Sequence, residues 1–356
     1  MYSKFWPKGG LPGILHHYTE TLVTFEYTAN TIRKPHSLLF VGGLGDGLAT
    51  TSYMADLAHA LQPTEWSLFT LTLTSSYQSW GLGHLDRDTN EIAQCLNYIR
   101  EYKTERFGGS SGGAGGKIVL MGHSTGSQCV LHYLSRPNPH TGTPAFDPSV
   151  EHIERMPLDG AIMQAPVSDR EAIQWVLAEG LGDKTPAEIR PVFEKLTAMA
   201  REAAGNADAC TDVLLPLAMT SLVYPAHTPL SARRFLSLTS PESPLSPSED
   251  DLFSSDLSDE QLGKTFGKIR EQGLLRGKLM VLFSGADQSV PAWVDKEALL
   301  SRWRKATDHD REAEIWDGNS AIIPDASHAL SNDDQAEPRK FLVDKVLRYL
   351  SASVKA

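Results

Sequence analysis

The chain has 356 residues, of which 41% are hydrophobic and 22% are charged. This composition is ordinary for a globular protein and excludes a chain that is disordered throughout. The formal net charge of −11 argues against nucleic acid or an anionic membrane as the main partner, because both would need a basic surface. A cationic ligand is compatible with the charge, and so is a plain role in solubility.

The cysteines and the termini indicate the compartment. Cys95, Cys129 and Cys210 are widely spaced, so neither a disulfide framework nor a metal site is indicated. The first residues contain no apolar stretch of signal-peptide length, and no later stretch is long enough to span a bilayer. We therefore expect a reduced intracellular compartment, by default the cytoplasm.

The first half of the chain alternates apolar β-type runs with amphipathic helical patterns, which is typical of an α/β fold. The first two runs predict a hairpin at the antiparallel edge of a mostly parallel sheet. Strands are expected at residues 14–18, 21–28, 37–41, 66–73, 117–121 and 158–165. The glycine- and serine-rich stretch 107–116 is expected to be a mobile loop without chemistry of its own.

The strand at 117–121 runs into Gly122-His123-Ser124-Thr125-Gly126, and a helical pattern follows. A serine between glycines at a strand-to-helix turn is typical of a nucleophile elbow, in which the strained serine lifts its hydroxyl above the sheet. An ordinary turn is the alternative for the motif alone. The context predicts Ser124 as the nucleophile, and His123 as a pocket-wall or substrate-binding residue rather than the base.

A glycine-rich loop, Gly42 to Gly47, follows the strand at 37–41. Its glycine spacing fits neither a dinucleotide fingerprint nor a Walker loop, and no lysine follows. The remaining interpretation is an oxyanion loop, with the backbone N–H groups of Leu44 and Thr125 as donors. Asp46 would then lie at the pocket mouth as a possible substrate contact, although a turn-forming aspartate is equally compatible with the sequence.

The strand–helix alternation stops between Arg170 and Gly277, which is too long an interruption for a plain loop. We predict a helical lid at 170–276, inserted into a core made of 1–169 and 277–356. Its expected parts are helices and an extended proline- and serine-rich stretch, at about 171–179, 187–204, 211–222 and 239–248.

The sheet resumes with a strand at 278–283, and a helix that includes Trp293 and Trp303 follows. A short last strand is expected at 314–316, with 322–323 as an extension. The chain then ends in a long amphipathic helix.

Acyl-transfer chemistry needs a nucleophile, a base that takes its proton and an acid that holds the base. Ser124, Asp287 and His328 occur in the order typical of α/β-hydrolases, each in a loop after an expected strand. Asp169 is the second candidate for the acid, because it also follows a strand. Asp317 and Asp325 are too near His328 in sequence to be first choices.

On the basis of these motifs and their order, the chain resembles the α/β-hydrolase superfamily over most of its length. The segments FVGGLGDGL, MGHSTGSQ and SGADQSVP resemble, more narrowly, those of the fungal siderophore-esterase family. The resemblance implies an intracellular serine hydrolase that cuts ester bonds between the hydroxamate-ornithine units of fusarinine-type siderophores. It implies the triad Ser124, Asp287 and His328 and no cofactor or metal of the enzyme's own, since iron would arrive with the substrate.

Two other functional classes remain open from the sequence. One is a carboxylesterase or thioesterase that acts on another lipid or metabolite ester, with the insertion covering an acyl chain. The other is a non-catalytic binding protein on a hydrolase scaffold, which usually lacks a member of the triad. The oligomeric state is not indicated by the sequence.

Overall fold

The structure is a computed structural model that describes residues 4–29, 32–108, 116–140, 152–205, 212–309 and 314–355. Its centre is an eight-stranded sheet with the order β1-β2-β4-β3-β5-β6-β7-β8. The strands are β1 Gly13–His17, β2 Val23–Tyr27, β3 His36–Val41, β4 Trp66–Leu71, β5 Ile118–His123, β6 Gly160–Gln164, β7 Leu279–Ser284 and β8 Ala321–Ile323. The pairs β1–β2 and β2–β4 are antiparallel and all other pairs are parallel, so the predicted antiparallel edge is confirmed.

Helices cover both faces of the sheet and others lie between β6 and β7. They are α1 Met54–Leu61, α2 Leu85–Phe107, α3 Thr125–Ser135, α4 Asp169–Glu179, α5 Pro186–Gly205, α6 Leu217–Thr220, α7 Ala232–Thr239, α8 Asp259–Gly263, α9 Ile269–Gln272, α10 Lys296–Thr307 and α11 Ala336–Lys355. Two 3₁₀ turns lie at Tyr77–Leu82 and Phe266–Lys268. No helix in the described ranges is long and apolar enough to cross a membrane.

The two core layers follow from the two-residue period of the central strands. Leu120 of β5 packs with α2 and α3 on one face, whereas Val119 and Met121 pack with α1 and α11 on the other. Because both faces are covered, the strand is buried at every position and is a continuous apolar run at its start. The predicted fold class, a mostly parallel α/β sheet of the hydrolase type, is confirmed.

Several local predictions differ from the structure at the end of the sheet. The last strand is β8 Ala321–Ile323, whereas Trp316 makes only an isolated bridge with Leu279. Residues 322–323, which the sequence predicts only as an extension of a strand at 314–316, are therefore part of the last strand, because Ile322 pairs with β7. Trp293 lies before α10 rather than in it and is 54% exposed.

The described part of the segment between β6 and β7 contains the helices α4 to α9. Leu196, Leu230 and Phe235 belong to a separate hydrophobic cluster, against which Leu44 of the glycine-rich loop packs. The later part, including Phe266, belongs to the main core. The position of this segment beside the loop is what a lid requires, and its role as a lid stays a prediction.

Two predictions inside this segment need correction. The helix expected at 211–222 is reduced to α6, because Leu214 forms a bridge with Ser231 and Pro216 precedes the helix. The proline- and serine-rich stretch is folded into turns rather than extended, since the N–H of Ser248 donates to Ser240 Oγ at 2.8 Å. Most of the loop at 107–116, and Cys210, lie outside the described residues.

Candidate active site

The turn after β5 has the geometry of a nucleophile elbow. Ser124 has φ 55° and ψ −121°, a conformation that is costly for any residue except glycine. Both flanking glycines are required, because a Cβ on Gly122 would lie 2.0 Å from Gly126 O and one on Gly126 2.2 Å from Val41 O. The N–H of Ser124 donates to Gln164 O at 3.0 Å, which ties the elbow to the end of β6.

The structure brings the three predicted triad residues into one hydrogen-bonded line. His328 Nε2 lies 2.8 Å from Ser124 Oγ, and His328 Nδ1 lies 2.7 Å from Asp287 Oδ2. The Asp287 side chain is completely buried, and its Oδ1 accepts the N–H of Ser289 at 2.8 Å. With Nδ1 donating to the carboxylate, Nε2 carries the lone pair that can accept the serine proton.

Asp169, the second candidate for the acid, does not bond to His328. Its Oδ2 accepts a hydrogen bond from Gln128 Nε2 at 3.0 Å. Burial, and then the charge of Asp250, raise the pKa of Asp169 to about 6, against the opposing effects of Gln128, Arg234 and His328. The geometry therefore favours Asp287 as the triad acid and places Asp169 beside the site in another environment.

The glycine-rich loop lies directly against Ser124. A Cβ on Gly43 would approach Ser124 Cβ to 2.8 Å and Ser124 Oγ to 3.3 Å. The Gly43 N–H is already used, because it donates to Asp46 Oδ2 at 2.9 Å. The next N–H along the loop is that of Leu44, and the N–H of Thr125 lies in the first turn of α3, whose N–H groups have no acceptor within the helix. This arrangement suits the predicted oxyanion donors, whose role stays a prediction.

Asp46 stabilises its own loop through hydrogen bonds to its carboxylate. Besides the Gly43 N–H, its carboxylate accepts the hydroxyls of Thr50 at 2.6 Å and Thr51 at 2.9 Å. These bonds close the loop into the shape that presents Leu44, as a turn-forming aspartate does. Direct substrate binding by Asp46 stays a prediction.

His123 forms the wall behind the His328 imidazole. Its ring centroid lies 5.1 Å from that of His328, and its Nδ1 bonds to Gln164 Oε1, which also accepts the Tyr53 hydroxyl at 2.9 Å. Burial, followed by the nearby His328 charge, lowers the pKa of His123 to about 4. A neutral ring at this place supports the pocket-wall interpretation and does not add a second positive charge next to His328.

Sequence reasoning missed three residues that support the site: Gly43, Tyr53 and Gln164. Gly43 was one of several glycines in its loop, and no spacing singled it out. Gln164 is the last residue of β6, adjacent in the sheet to His123 of β5. A polar residue at the end of an otherwise apolar strand was the signal that could have identified it.

Two groups that share Asp86 of α2 have side chains of metal-ligating type, one with His140 and His152 and the other with His84 and Glu249. Asp86, His140 and His152 offer atoms within 4.8 Å of one another. The Asp86 Oδ1 atom is already 2.8 Å from His132 Nε2, and His140 Nε2 lies 2.6 Å from a guanidinium nitrogen of Arg136. These contacts form a polar network that explains the cluster without an ion.

Comparison with known proteins gives a consistent picture. A family model described as protein of unknown function, DUF1749, matches residues 4–351. The chain is 90% identical to fusarinine C esterase sidJ of Aspergillus fumigatus over all 356 residues of both chains. It is 51% identical to esterase AN6793 of Emericella nidulans, over 97% of this chain and 94% of that protein.

A solved structure agrees with these sequence relatives. The siderophore hydrolase EstB from Aspergillus fumigatus matches with a TM-score of 0.88 and 88% identity. The match covers 99% of this chain and all of the other.

Proposed function

The chain belongs to the DUF1749 family, and we propose that it is the member that hydrolyses the ester bonds of fusarinine-type hydroxamate siderophores. In reaction class it is a carboxylic ester hydrolase, because relatives 90% and 51% identical over nearly the whole chain are named esterases. The substrate is a proposal that rests on the names of the sidJ and EstB proteins.

The observation that carries the chemistry is the line from Ser124 Oγ through His328 to Asp287, with distances of 2.8 and 2.7 Å. In the proposed reaction His328 Nε2 takes the proton of Ser124 while Oγ attacks the ester carbonyl. The N–H groups of Leu44 and Thr125 hold the oxyanion of the tetrahedral intermediate.

The intermediate then collapses to an acyl-enzyme. His328 passes its proton to the departing alkoxide, and the alcohol end of the siderophore leaves. A water molecule, deprotonated by the same imidazole, attacks the Ser124 ester and releases the carboxylate. Asp287 stays ionised throughout and stabilises the imidazolium.

The test is mass spectrometry of ferric and iron-free fusarinine C after incubation with the wild-type protein and with Ser124→Ala. The proposal expects linear trimer and then shorter products with the wild type, and an intact ring with the variant. An intact ring with a wild-type protein that still reacts at Ser124 with a phosphonate would leave a serine hydrolase of another ester. That outcome would contradict the siderophore proposal and not the triad.

We also propose that the enzyme acts in the cytoplasm, on a chelate that has already entered the cell. Cys95 and Cys129 are both free thiols buried in the core, which is compatible with a reducing compartment. Fractionation of cells that express a tagged full-length chain tests this, and recovery in a secreted fraction would contradict it.

A further inference from the structure

A buried region next to the triad contains more carboxyl groups than cationic groups. Arg234 is 1% exposed, and its Nη1 lies 2.7 Å from both carboxylate oxygens of Asp250. Three more carboxyl groups act on this single guanidinium, those of Asp88, Asp169 and Glu249. Burial raises the pKa of Asp88 to about 7 and that of Glu249 well above its usual value. The raised pKa values indicate that one guanidinium does not keep all of these carboxyl groups ionised, so an added cation would stabilise their charged forms here.

Two acceptor atoms in the same region lack a donor. Gln128 is 1% exposed, and its Nε2 donates to Asp169 Oδ2 at 3.0 Å and to Asp250 O at 2.6 Å. Both contacts are to acceptors, so they fix the orientation of the amide. Within the described ranges, Gln128 Oε1 and the buried hydroxyl of Tyr224 have no hydrogen-bond partner. A buried polar atom without a partner is unfavourable, so a ligand that supplies the missing donors would be stabilised.

Asp169 connects these groups to the catalytic residues. It begins α4, after the strand β6 that pairs with β5, and it is only half-buried. Across the part of the chain that the structure describes, Gln128 is the one donor to its carboxylate. The charge of His328 acts on Asp169, and Gln128 lies in the first turn of the helix that starts directly after Ser124.

We propose that Asp169, Gln128 and Tyr224 form a subsite that binds an ammonium group on the acyl side of the scissile ester. An ammonium ion supplies one positive charge and three N–H donors. The subsite offers a carboxylate oxygen, an amide oxygen and a phenol oxygen. An acetylated amine has one N–H and no charge, so it could not act as a counter-ion for these carboxyl groups.

The assignment rests on the proposed function and narrows its substrate. In a hydroxamate-ornithine ester the side-chain nitrogen belongs to the hydroxamate and the carboxyl group to the ester. The amine that remains is on the α-carbon, adjacent to the scissile carbonyl. Gln128 lies about one helical turn after Ser124, so we expect the subsite to lie close to the α-amine of an ester bound at Ser124.

The experiment compares two small esters that differ only at this amine. They are the ethyl ester of ornithine acetylated on its side-chain nitrogen, and the same ester acetylated also on the α-nitrogen. The wild type is expected to prefer the free amine in kcat/KM by about 10- to 100-fold, the range for a hydrogen bond to a charged group. Asp169→Asn should bring the ratio close to one, mainly by raising KM for the free amine.

Two further variants keep the test decisive. Tyr224→Phe removes only a hydroxyl and should lower kcat/KM for the free amine by about threefold to tenfold. Asp183→Asn makes the same change as Asp169→Asn at an exposed position and should leave both rates unchanged. Melting curves of all variants report whether they are folded.

The outcomes separate the two proposals. A wild-type preference that persists in both Asp169→Asn and Tyr224→Phe would overturn the subsite, and so would equal rates on the two esters. In either case the esterase proposal would stand. Absence of any Ser124-dependent cleavage of these esters and of fusarinine C would overturn both.

Discussion

The substitution Asp287→Asn tests the assignment of the triad acid most directly. Asp287 Oδ1 accepts the Ser289 N–H at 2.8 Å, while Oδ2 faces His328 Nδ1 at 2.7 Å. An asparagine at this position keeps its carbonyl oxygen toward Ser289, because the other orientation would oppose two N–H donors. Its NH₂ group then faces the imidazole, which must present Nδ1 as the acceptor and carry its proton on Nε2. That tautomer cannot accept the proton of Ser124.

We expect Asp287→Asn to lower kcat by roughly 10³- to 10⁴-fold, or about 4–5.5 kcal/mol in the activation barrier. The assay is hydrolysis of p-nitrophenyl acetate, with Ser124→Ala as the baseline and intact folding checked by circular dichroism. Asp325→Asn is the matched control, since Asp325 is exposed with φ 55° and asparagine tolerates that conformation. A loss smaller than tenfold in Asp287→Asn, together with a loss above 10³-fold in Asp169→Asn, would refute the assignment.

The remaining predictions concern the loop and a buried ion pair. Gly43→Ala should lower kcat by at least about tenfold with little change in melting temperature, because the new Cβ would lie 2.8 Å from Ser124 Cβ. An unchanged kcat would show that the loop can move away from Ser124 without loss of activity. Glu26→Gln should destabilise the fold by roughly 3–5 kcal/mol in urea unfolding, since Lys103, 2.6 Å away, would stay buried without its counter-charge. A loss below 1 kcal/mol would mean that Lys103 gives up its proton at little cost. Wild-type stability should also fall as pH drops from about 4.5 toward 2. Burial by itself raises the pKa of Glu26, but the His16 imidazole 3.5 Å away and the charge and hydrogen bond of Lys103 outweigh this effect and lower the pKa to about 2. The stabilisation is therefore present above the unfolded pKa and is lost as the pH falls through the folded pKa. Glu26→Gln should show a weaker acid dependence over that interval.

The site divides its ionisable groups by environment. His123 is neutral because it is buried beside another histidine, and Asp287 is buried but hydrogen-bonded at both oxygens. Among the residues that the structure describes, Asp169 has one hydrogen-bond donor, and its pKa is raised. Neighbouring groups whose pKa values are shifted in different directions are typical of catalytic sites. Here the difference in environment distinguishes the Ser124–His328–Asp287 line from the proposed ammonium subsite.

The sequence alone determined the elements whose signals are local. The apolar run before Gly122 and the helical pattern after Ser124 determine the elbow, because strain at a strand-to-helix turn is tolerated only between small residues. The three triad candidates, Ser124, Asp287 and His328, could also be chosen from the sequence, because they occur in the chain order typical of α/β-hydrolases.

Only the tertiary structure showed which carboxylate contacts His328 and which apolar run forms the last strand. Asp169 and Asp287 both follow buried strands, and their distances to His328 depend on how β6 and β7 are placed in the sheet, which no local pattern encodes. The last strand was misplaced because short apolar runs at 314–316 and 321–323 look alike until one of them pairs with β7. The side-chain oxygens of Gln128 and Tyr224 that have no partner among the described residues are likewise visible only in the fold, because hydrogen-bond satisfaction is a property of three-dimensional neighbours and not of residue type.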